Sequence, residues 1–304
     1  MKPLISYYGG KQRMAHHIIP LIPKHTVYVE PFCGGAAIFF MKPYPQITCN
    51  TAYREVLNDT SKDLVNLYRV LQTRHDELIH LLKHTLYSEA EHKKSTKILK
   101  RKIDADKLWR AWAYYVNVSQ SFSKSLMAGW GRSMSSQSQA ETWVSRTDIL
   151  PTYLERMRHV HIACNDALKV IKQWDSPQTF FYCDPPYPGT ECCQYRGYAL
   201  ADLQALVDAL SQCQGSFILS NYDQPGLTVP KDWERLEFST LMSGNNYNYE
   251  KNRERVEVVW RRFNSVPVAP EIQSMYDSGG YDCFAKSPQD KSLMKMKPLF
   301  GARR

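Results

Sequence analysis

A chain of 304 residues can bury one large core, or one core and a smaller lobe. Its 43% hydrophobic and 23% charged residues give an ordinary globular balance. No run approaches the roughly 18 to 20 uncharged apolar residues that a membrane-spanning helix needs, and MKPLISYYGG at the N-terminus has no apolar segment of signal-peptide length. A cytoplasmic protein without a membrane is therefore expected. The formal net charge of +9 suits a polyanionic partner, because each neutralised phosphate releases a condensed counterion. The eight cysteines (Cys33, Cys49, Cys164, Cys183, Cys192, Cys193, Cys213 and Cys283) form no CxxC pair and have no paired histidines at ligand spacing. No metal site is expected, and the thiols should be reduced.

The first feature along the chain is Tyr7-Tyr8-Gly9-Gly10-Lys11. Gly-Gly-Lys can cradle an anionic group such as an amino-acid carboxylate, although it lacks the flanking spacing of a phosphate-binding loop. A plain surface turn is the alternative. Next, an apolar strand over residues 27–30 runs into Glu30-Pro31-Phe32-Cys33-Gly34-Gly35 and then a short apolar helix. Strand, glycine turn and helix make a nucleotide-type corner, where glycine lets a ligand approach the backbone. A second strand over residues 55–59 ends in Asp59, 24 residues after Gly35, at a spacing suited to ribose hydroxyls. Asp59 could instead cap the following helix, in which Ser61 is the expected N-cap and Leu64, Leu67, Tyr68 and Leu71 share a face.

The middle of the chain has a different character. Between His92 and Arg132 there are ten Lys or Arg residues against two acids, Asp104 and Asp106, with Trp109, Trp112, Tyr114, Tyr115, Phe122 and Trp130 interleaved. Residues 75–160 are expected to form a mainly helical lobe, with Lys93, Lys94, Arg110, Asn117, Lys124 and Arg132 as its nucleic-acid contacts. The Ser/Gln run over residues 133–140 is polar and expected to be mobile.

A short run over residues 160–163 leads to Asn165-Asp166, and a strand over residues 179–183 leads to Asp184-Pro185-Pro186-Tyr187. An acid at the carboxyl end of a buried parallel strand stands where α/β sheets place their ligands. Proline has no N–H, so its carbonyl stays available as an acceptor. A carboxylate and a prolyl carbonyl together can grip both hydrogens of a primary amine, and Tyr187 offers a face on which a base can stack. The alternative is a turn in which Asp184 merely caps the next helix. Asp202 is the expected start of a later helix through Leu203, Leu206, Val207 and Leu210. Residues 217–220 form another buried strand, whose end, Ser220 to Tyr222, is expected beside Asp184. Residues 255–260 are predicted to be an antiparallel strand at the sheet edge. Residues 265–304, rich in Pro, Ser, Lys and Gly, are expected to be a poorly ordered tail.

Taken in order, these segments resemble the Dam-type family of adenine-N6 DNA methyltransferases, the D12 class, from Tyr7 to about residue 260. The resemblance implies a Rossmann-like α/β sheet, mostly parallel with an antiparallel edge strand. Residues 1–74 and 161–264 would form the S-adenosylmethionine-binding catalytic domain, and 75–160 the inserted target-recognition lobe. Tyr7 and Lys11 would contact S-adenosylmethionine, with Glu30, Phe32, Gly34 and Gly35 in the donor corner. Asp59 would hold the donor's ribose, Asn165 and Asp166 would line its adenine, and Asp184 would face both donor and target amine. Double-stranded DNA is the implied partner, with the adenine extruded because N6 is paired and stacked in the duplex; a cognate restriction nuclease is a further candidate partner. Neither metal nor cysteine nucleophile is required, since a sulfonium donor is already activated. Tyr7 stands where the family usually has Trp, and Ala36 and Ala37 stand where glycine is common. The competing readings are an RNA adenine methyltransferase, a cytosine-N4 enzyme (whose relatives usually carry Ser at position 184) and a non-catalytic nucleic-acid-binding protein.

Overall fold

The computed structural model describes residues 1–5, 10–43, 53–132, 138–189, 197–241 and 254–264. The tail over 265–304 and most of the Ser/Gln run lie outside the described residues. In chain order the elements are α1 (Ala15–Ile18, continued by a 3-10 turn), β1 (Val27–Glu30), α2 (Ala37–Met41), β2 (Arg54–Asn58) and α3 (Lys62–Thr73). Five helices come next: α4 (His75–Lys83), α5 (Glu89–Leu99), α6 (Lys107–Gln120), α7 (Gln139–Asp148) and α8 (Leu150–Met157). The chain then returns through β3 (Val160–Ala163), α9 (Ala167–Trp174), β4 (Thr179–Cys183), α10 (Leu200–Gln212), β5 (Ser216–Tyr222), β6 (Glu234–Leu241) and β7 (Glu254–Arg262).

Seven strands make one sheet in the order β3-β2-β1-β4-β5-β7-β6. The first five pair in parallel, whereas β7 runs antiparallel to both β5 and β6. The central strands β1, β4 and β5 are apolar on both faces because helices cover both. Tyr28, Leu57, Phe180, Tyr182, Ile218 and Val259 point into one core. Their neighbours Val29, Val56, Phe181, Cys183, Leu219 and Val258 point into the other, against α9 and α10. A strand buried on both faces reads as a continuous apolar run, which is why β1, β4 and β5 are visible in the sequence.

Two expectations need correction. The strand over residues 255–260 is second from the edge; β6 is the edge strand and was not foreseen. Glu234, Arg235 and Glu237 give β6 a charged surface, as edge strands often have, and Arg261 pairs across the ladder with Glu234 at 2.7 Å. The helix expected from Asp202 begins earlier, with Ala199 as its N-cap. Asp202 lies in the first turn and its carboxylate accepts the Ala199 N–H at 2.7 Å. Ser61 does cap α3 by position, but its side chain makes no cap bond.

The helical segment from α4 to α8 shares its core with the sheet. Trp112, Tyr114 and Tyr115 of α6 are fully buried in the same cluster as Tyr28 and Phe180. Arg110 of α6 clamps Asp63 of α3 through two N–H donors at 2.6 and 2.9 Å. On the α2 side, Glu55 lies buried between two cations: Lys42 Nζ at 2.5 Å and Arg156 Nη1 at 2.5 Å, with Arg156 Nη2 also reaching Phe39 O at 3.0 Å. Those two cations hold the Glu55 carboxyl down at about 2 against the opposing effect of burial. Glu55→Ala would strand two buried charges, so it should remove about 3–5 kcal/mol of stability, read from urea unfolding monitored by far-UV circular dichroism.

Candidate active site at the carboxyl ends of the strands

Parallel strands that end together leave a row of loops at one edge, and here three of those ends are stitched by one buried side chain. Asn58, at the end of β2, donates to Pro31 O and Asn165 O, each at 2.9 Å, and accepts the Asn165 N–H at 2.9 Å. Beside it, the Asp59 carboxylate accepts N–H bonds from Gly34 at 3.0 Å and Ser61 at 2.8 Å. Burial raises the Asp59 pKa, and these backbone donors offset part of the rise. Asp59 thus has two structural effects. It braces the start of α3, and it places an acid against the glycine corner.

The corner is tight. Gly34 has φ of +46°, and Ala36, the N-cap residue of α2, has φ of +51°. That left-handed conformation costs an L-residue roughly 1–2 kcal/mol, and Ala36 adopts it without glycine's freedom. Tyr68 from α3 donates its hydroxyl to Gly34 O at 2.8 Å, so the turn is held from above. Glu30 faces inward. One carboxylate oxygen accepts Tyr28 OH at 2.6 Å and Phe39 N–H at 2.8 Å, and burial pushes its pKa up to about 8. It ties β1 to α2 and supports the corner from behind. Phe32 lines the corner and meets Tyr198 edge-on at 6.3 Å. Asn165 is held by Asn58, and Asp166 caps α9 by accepting the Lys169 N–H at 3.1 Å. Tyr7 lies outside the described residues.

The chemistry-bearing cluster sits where β4, β5 and β7 meet. Lys11 Nζ lies 2.8 Å from Asp184 Oδ1, 3.1 Å from Glu257 Oε1 and 2.5 Å from the Tyr187 hydroxyl oxygen. The Tyr187 hydroxyl is in turn 3.2 Å from Asp184 Oδ1 and 3.1 Å from Glu257 Oε1, and its ring meets Tyr222 edge-on at 4.5 Å. Lys11 is 6% exposed. Burial alone would lower its pKa, but Asp184 and Glu257 outweigh that and raise it. Burial pushes the Asp184 carboxyl up to about 6, with Lys11 pulling it down and Glu257 pushing it further up. Asp184 and Lys11, 173 positions apart in sequence, are thus direct partners. Glu257 was not foreseen. It lies opposite Tyr222 in the β5–β7 register, and its only signal in the sequence is a charge set between Val256 and Val258.

The basic segment divides less simply than the sequence suggested. Lys93, Lys94 and Arg132 are exposed. Lys93 pairs with Glu89 at 2.8 Å, and Lys94 lies over the Trp109 ring at 4.4 Å. Two of the expected nucleic-acid contacts are corrected. Arg110 is committed to Asp63. Asn117 is fully buried: its Nδ2 donates to Thr96 Oγ1 at 2.8 Å, and its Oδ1 accepts the Met127 N–H at 2.8 Å. The second bond steadies a loop in which Lys124 and Met127 both have positive φ. Burial, then the nearby cations Arg146 and Lys2, lower the Lys124 pKa. Among the described residues, no group of three or more His, Cys, Asp or Glu side chains could hold a metal ion, and no helix is long and apolar enough to cross a membrane.

The family described as D12 class N6 adenine-specific DNA methyltransferase matches residues 7–225. The Type II methyltransferase M1.LlaDCHI of Lactococcus lactis is 36% identical over 83 residues, covering 27% of this chain and 26% of that protein. The matched stretch thus spans about a quarter of that relative's length. The DNA adenine methylase of Haemophilus influenzae is 23% identical over 248 residues, 73% of this chain and 80% of its own. The Type II methyltransferase M.MjaIII of Methanocaldococcus jannaschii is 24% identical over 283 residues, 82% and 86% of the two chains.

Losing the buried amide in Asn117→Ala leaves the Met127 N–H unpaired, so unfolding free energy should fall by about 1–3 kcal/mol, measured in guanidinium. The loop after α6 should also become more sensitive to limited proteolysis. An unchanged midpoint would show that Asn117 does not brace the loop.

Proposed function

The chain belongs to the D12 class of N6 adenine-specific DNA methyltransferases, and on that footing we propose that it transfers a methyl group from S-adenosylmethionine to adenine N6 in double-stranded DNA, in the cytoplasm. The observation that carries the reading is the ion cluster of Lys11, Asp184, Tyr187 and Glu257 beside the Gly34–Asp59 corner. A half-buried acid at Asp59 and a left-handed glycine turn at Gly34 fit the ribose and backbone approach of a nucleoside. Two carboxylates around one ammonium fit a donor that arrives as a cation. The residues present therefore fit S-adenosylmethionine. The donor supplies an electrophilic methyl carbon on its sulfonium.

The remaining work falls to the protein. The N6 lone pair of adenine is delocalised into the ring, which makes the amine a poor nucleophile. Asp184, with its Oδ1 anchored by Lys11, presents its carboxylate to one amine hydrogen, and the Pro185 carbonyl takes the other. With both hydrogens held, the nitrogen is favoured in a pyramidal form with its lone pair directed at the methyl carbon. Asp184, or a water beside it, accepts the proton released after transfer. Tyr187 gives the extruded base a surface to stack on, while exposed cations such as Lys93 and Arg132 hold the duplex. Extrusion costs a few kcal/mol, which stacking and phosphate contacts can offset.

Mass spectrometry of nucleosides from duplex DNA and from RNA incubated with the chain and donor tests the reading directly. N6-methyldeoxyadenosine is expected, and a methylated cytosine or an RNA-only product would overturn it. Asp184→Asn should slow methyl transfer by about 100- to 10,000-fold while far-UV circular dichroism stays unchanged. The acid limb follows from the raised carboxyl. Asp184 can take up the released proton only when ionised, so activity should be retained above a pH of about 6 and lost as pH falls below it. Single-turnover rates between pH 5 and pH 8 (roughly the range over which such a carboxyl titrates) check this, and a flat profile would contradict it.

A further inference from the structure

Glu257 is a buried carboxylate, 5% exposed, that none of the steps above requires. It enters the cluster from β7, on the opposite side of β5 from Asp184. Hydrogen counting shows what it does. The Lys11 ammonium has three hydrogens, and three oxygens lie within 3.1 Å of it: Tyr187 OH, Asp184 Oδ1 and Glu257 Oε1. The Tyr187 hydroxyl has a single hydrogen and two carboxylate acceptors at nearly equal distance, 3.2 Å to Asp184 and 3.1 Å to Glu257. A target amine that draws on Asp184 competes with Lys11 and Tyr187 for that carboxylate. With Glu257 present, both keep a carboxylate partner on β7. The charges lead to the same residue. One ammonium and two carboxylates sum to −1, which a single positive charge brought by the donor would cancel.

We propose that Glu257 is a positioning residue and the second anion of the site: it retains Lys11 and Tyr187 while Asp184 engages the amine, and it supplies the negative charge matched to a sulfonium donor. This deepens the methyltransferase reading and rests on it. Removing the charge has two separable consequences. Binding of the cationic donor weakens more than binding of its neutral thioether product, S-adenosylhomocysteine. In addition, Asp184 ionises more easily. Among the described residues, the charged or titratable groups that interact with Asp184 are Lys11 from the N-terminal segment, Tyr182 and Cys183 on β4, Tyr187 after it, Glu30 on β1 and Glu257 on β7. Of these, Glu257 is the carboxylate that shares Lys11 and Tyr187 with Asp184.

The test uses the full chain and Glu257→Gln, which keeps the shape and removes the charge. Calorimetric Kd values for S-adenosylmethionine and S-adenosylhomocysteine are compared, together with single-turnover pH profiles. The expected result is about tenfold weaker donor binding, with thioether binding changed by less than about twofold, and an acid limb moved to lower pH. Equal weakening of both ligands with an unmoved limb would mean that Glu257 is only structural, and no change in either would also overturn the proposal. Wild-type chain that binds neither ligand would instead sink the methyltransferase reading beneath it. If Glu257→Gln does not fold, Glu257→Asp carries the test. It keeps the charge but displaces it, so the donor-over-thioether preference must survive while the methyl-transfer rate falls; a lost preference overturns the assignment.

Discussion

An ammonium taken out of water is stable only where anions and hydrogen-bond acceptors replace the water, and Lys11 has found all of its replacements at one edge of the sheet. Its partners arrive from the end of β4, from the turn after it and from β7. Because β5 lies between β4 and β7, the cluster can close only when the antiparallel strand has been added to the parallel sheet. The N-terminal segment is thereby fixed across the strand ends by charge as well as by packing. A cluster with this origin has its geometry set before any ligand arrives, which is the condition under which electrostatic groups are worth most to a reaction.

A second buried cation group lies under α2, and its character is different. Lys42 and Arg156 surround Glu55, with Tyr53 accepting from Lys42 at 2.9 Å. Burial lowers the Lys42 pKa to about 8 and that of His25 to about 3. Glu30 stands between the two groups, with its carboxyl raised to about 8 by burial and held to Tyr28 and Phe39. Near neutrality it is therefore largely uncharged, and it transmits packing rather than charge from the α2 side to the active cluster. The contrast with Asp59 is instructive. Both acids terminate or follow strands and were expected to meet the donor. Asp59 faces the corner with three backbone donors around it, while Glu30 is turned into the core.

The parts that were legible in the sequence share a physical reason. Strands buried on both faces must be apolar, and the residues after them must turn, so 27–30, 179–183 and 217–220 announced themselves together with Asp184 and the glycine corner. The meeting of Lys11 with Asp184 could be anticipated only through family resemblance, since nothing local in Gly-Gly-Lys specifies a carboxylate 173 positions away. β6 was missed because its exposed charges hide a strand whose pairing comes from β7. Glu257 was missed because a glutamate in a strand reads as outward-facing, yet here Glu257 is the buried residue and its neighbour Val256 is the exposed one. Asn117 and Arg110 were misassigned for a related reason. A polar residue among basic and aromatic neighbours looks like a contact for phosphate, but an amphipathic helix can turn it equally well towards the core.

Net charge is therefore a poor map of the binding surface in this molecule. Of the cations between α5 and the loop after α6, Arg110 is taken up by Asp63, Lys93 shares its charge with Glu89, and Lys94 rests on indole rings. What the segment gains from these internal commitments is rigidity relative to the sheet. Arg110 ties α6 to α3, and just ahead of α3 the Asp59 carboxylate accepts both the Ser61 N–H and the Gly34 N–H of the corner. The exposed face of the helices is thus referenced, through one salt bridge and the Asp59 carboxylate, to the same strand ends that carry Asp184. Mobile recognition elements on a long tether would have to pay in ordering entropy what this shared core has already fixed.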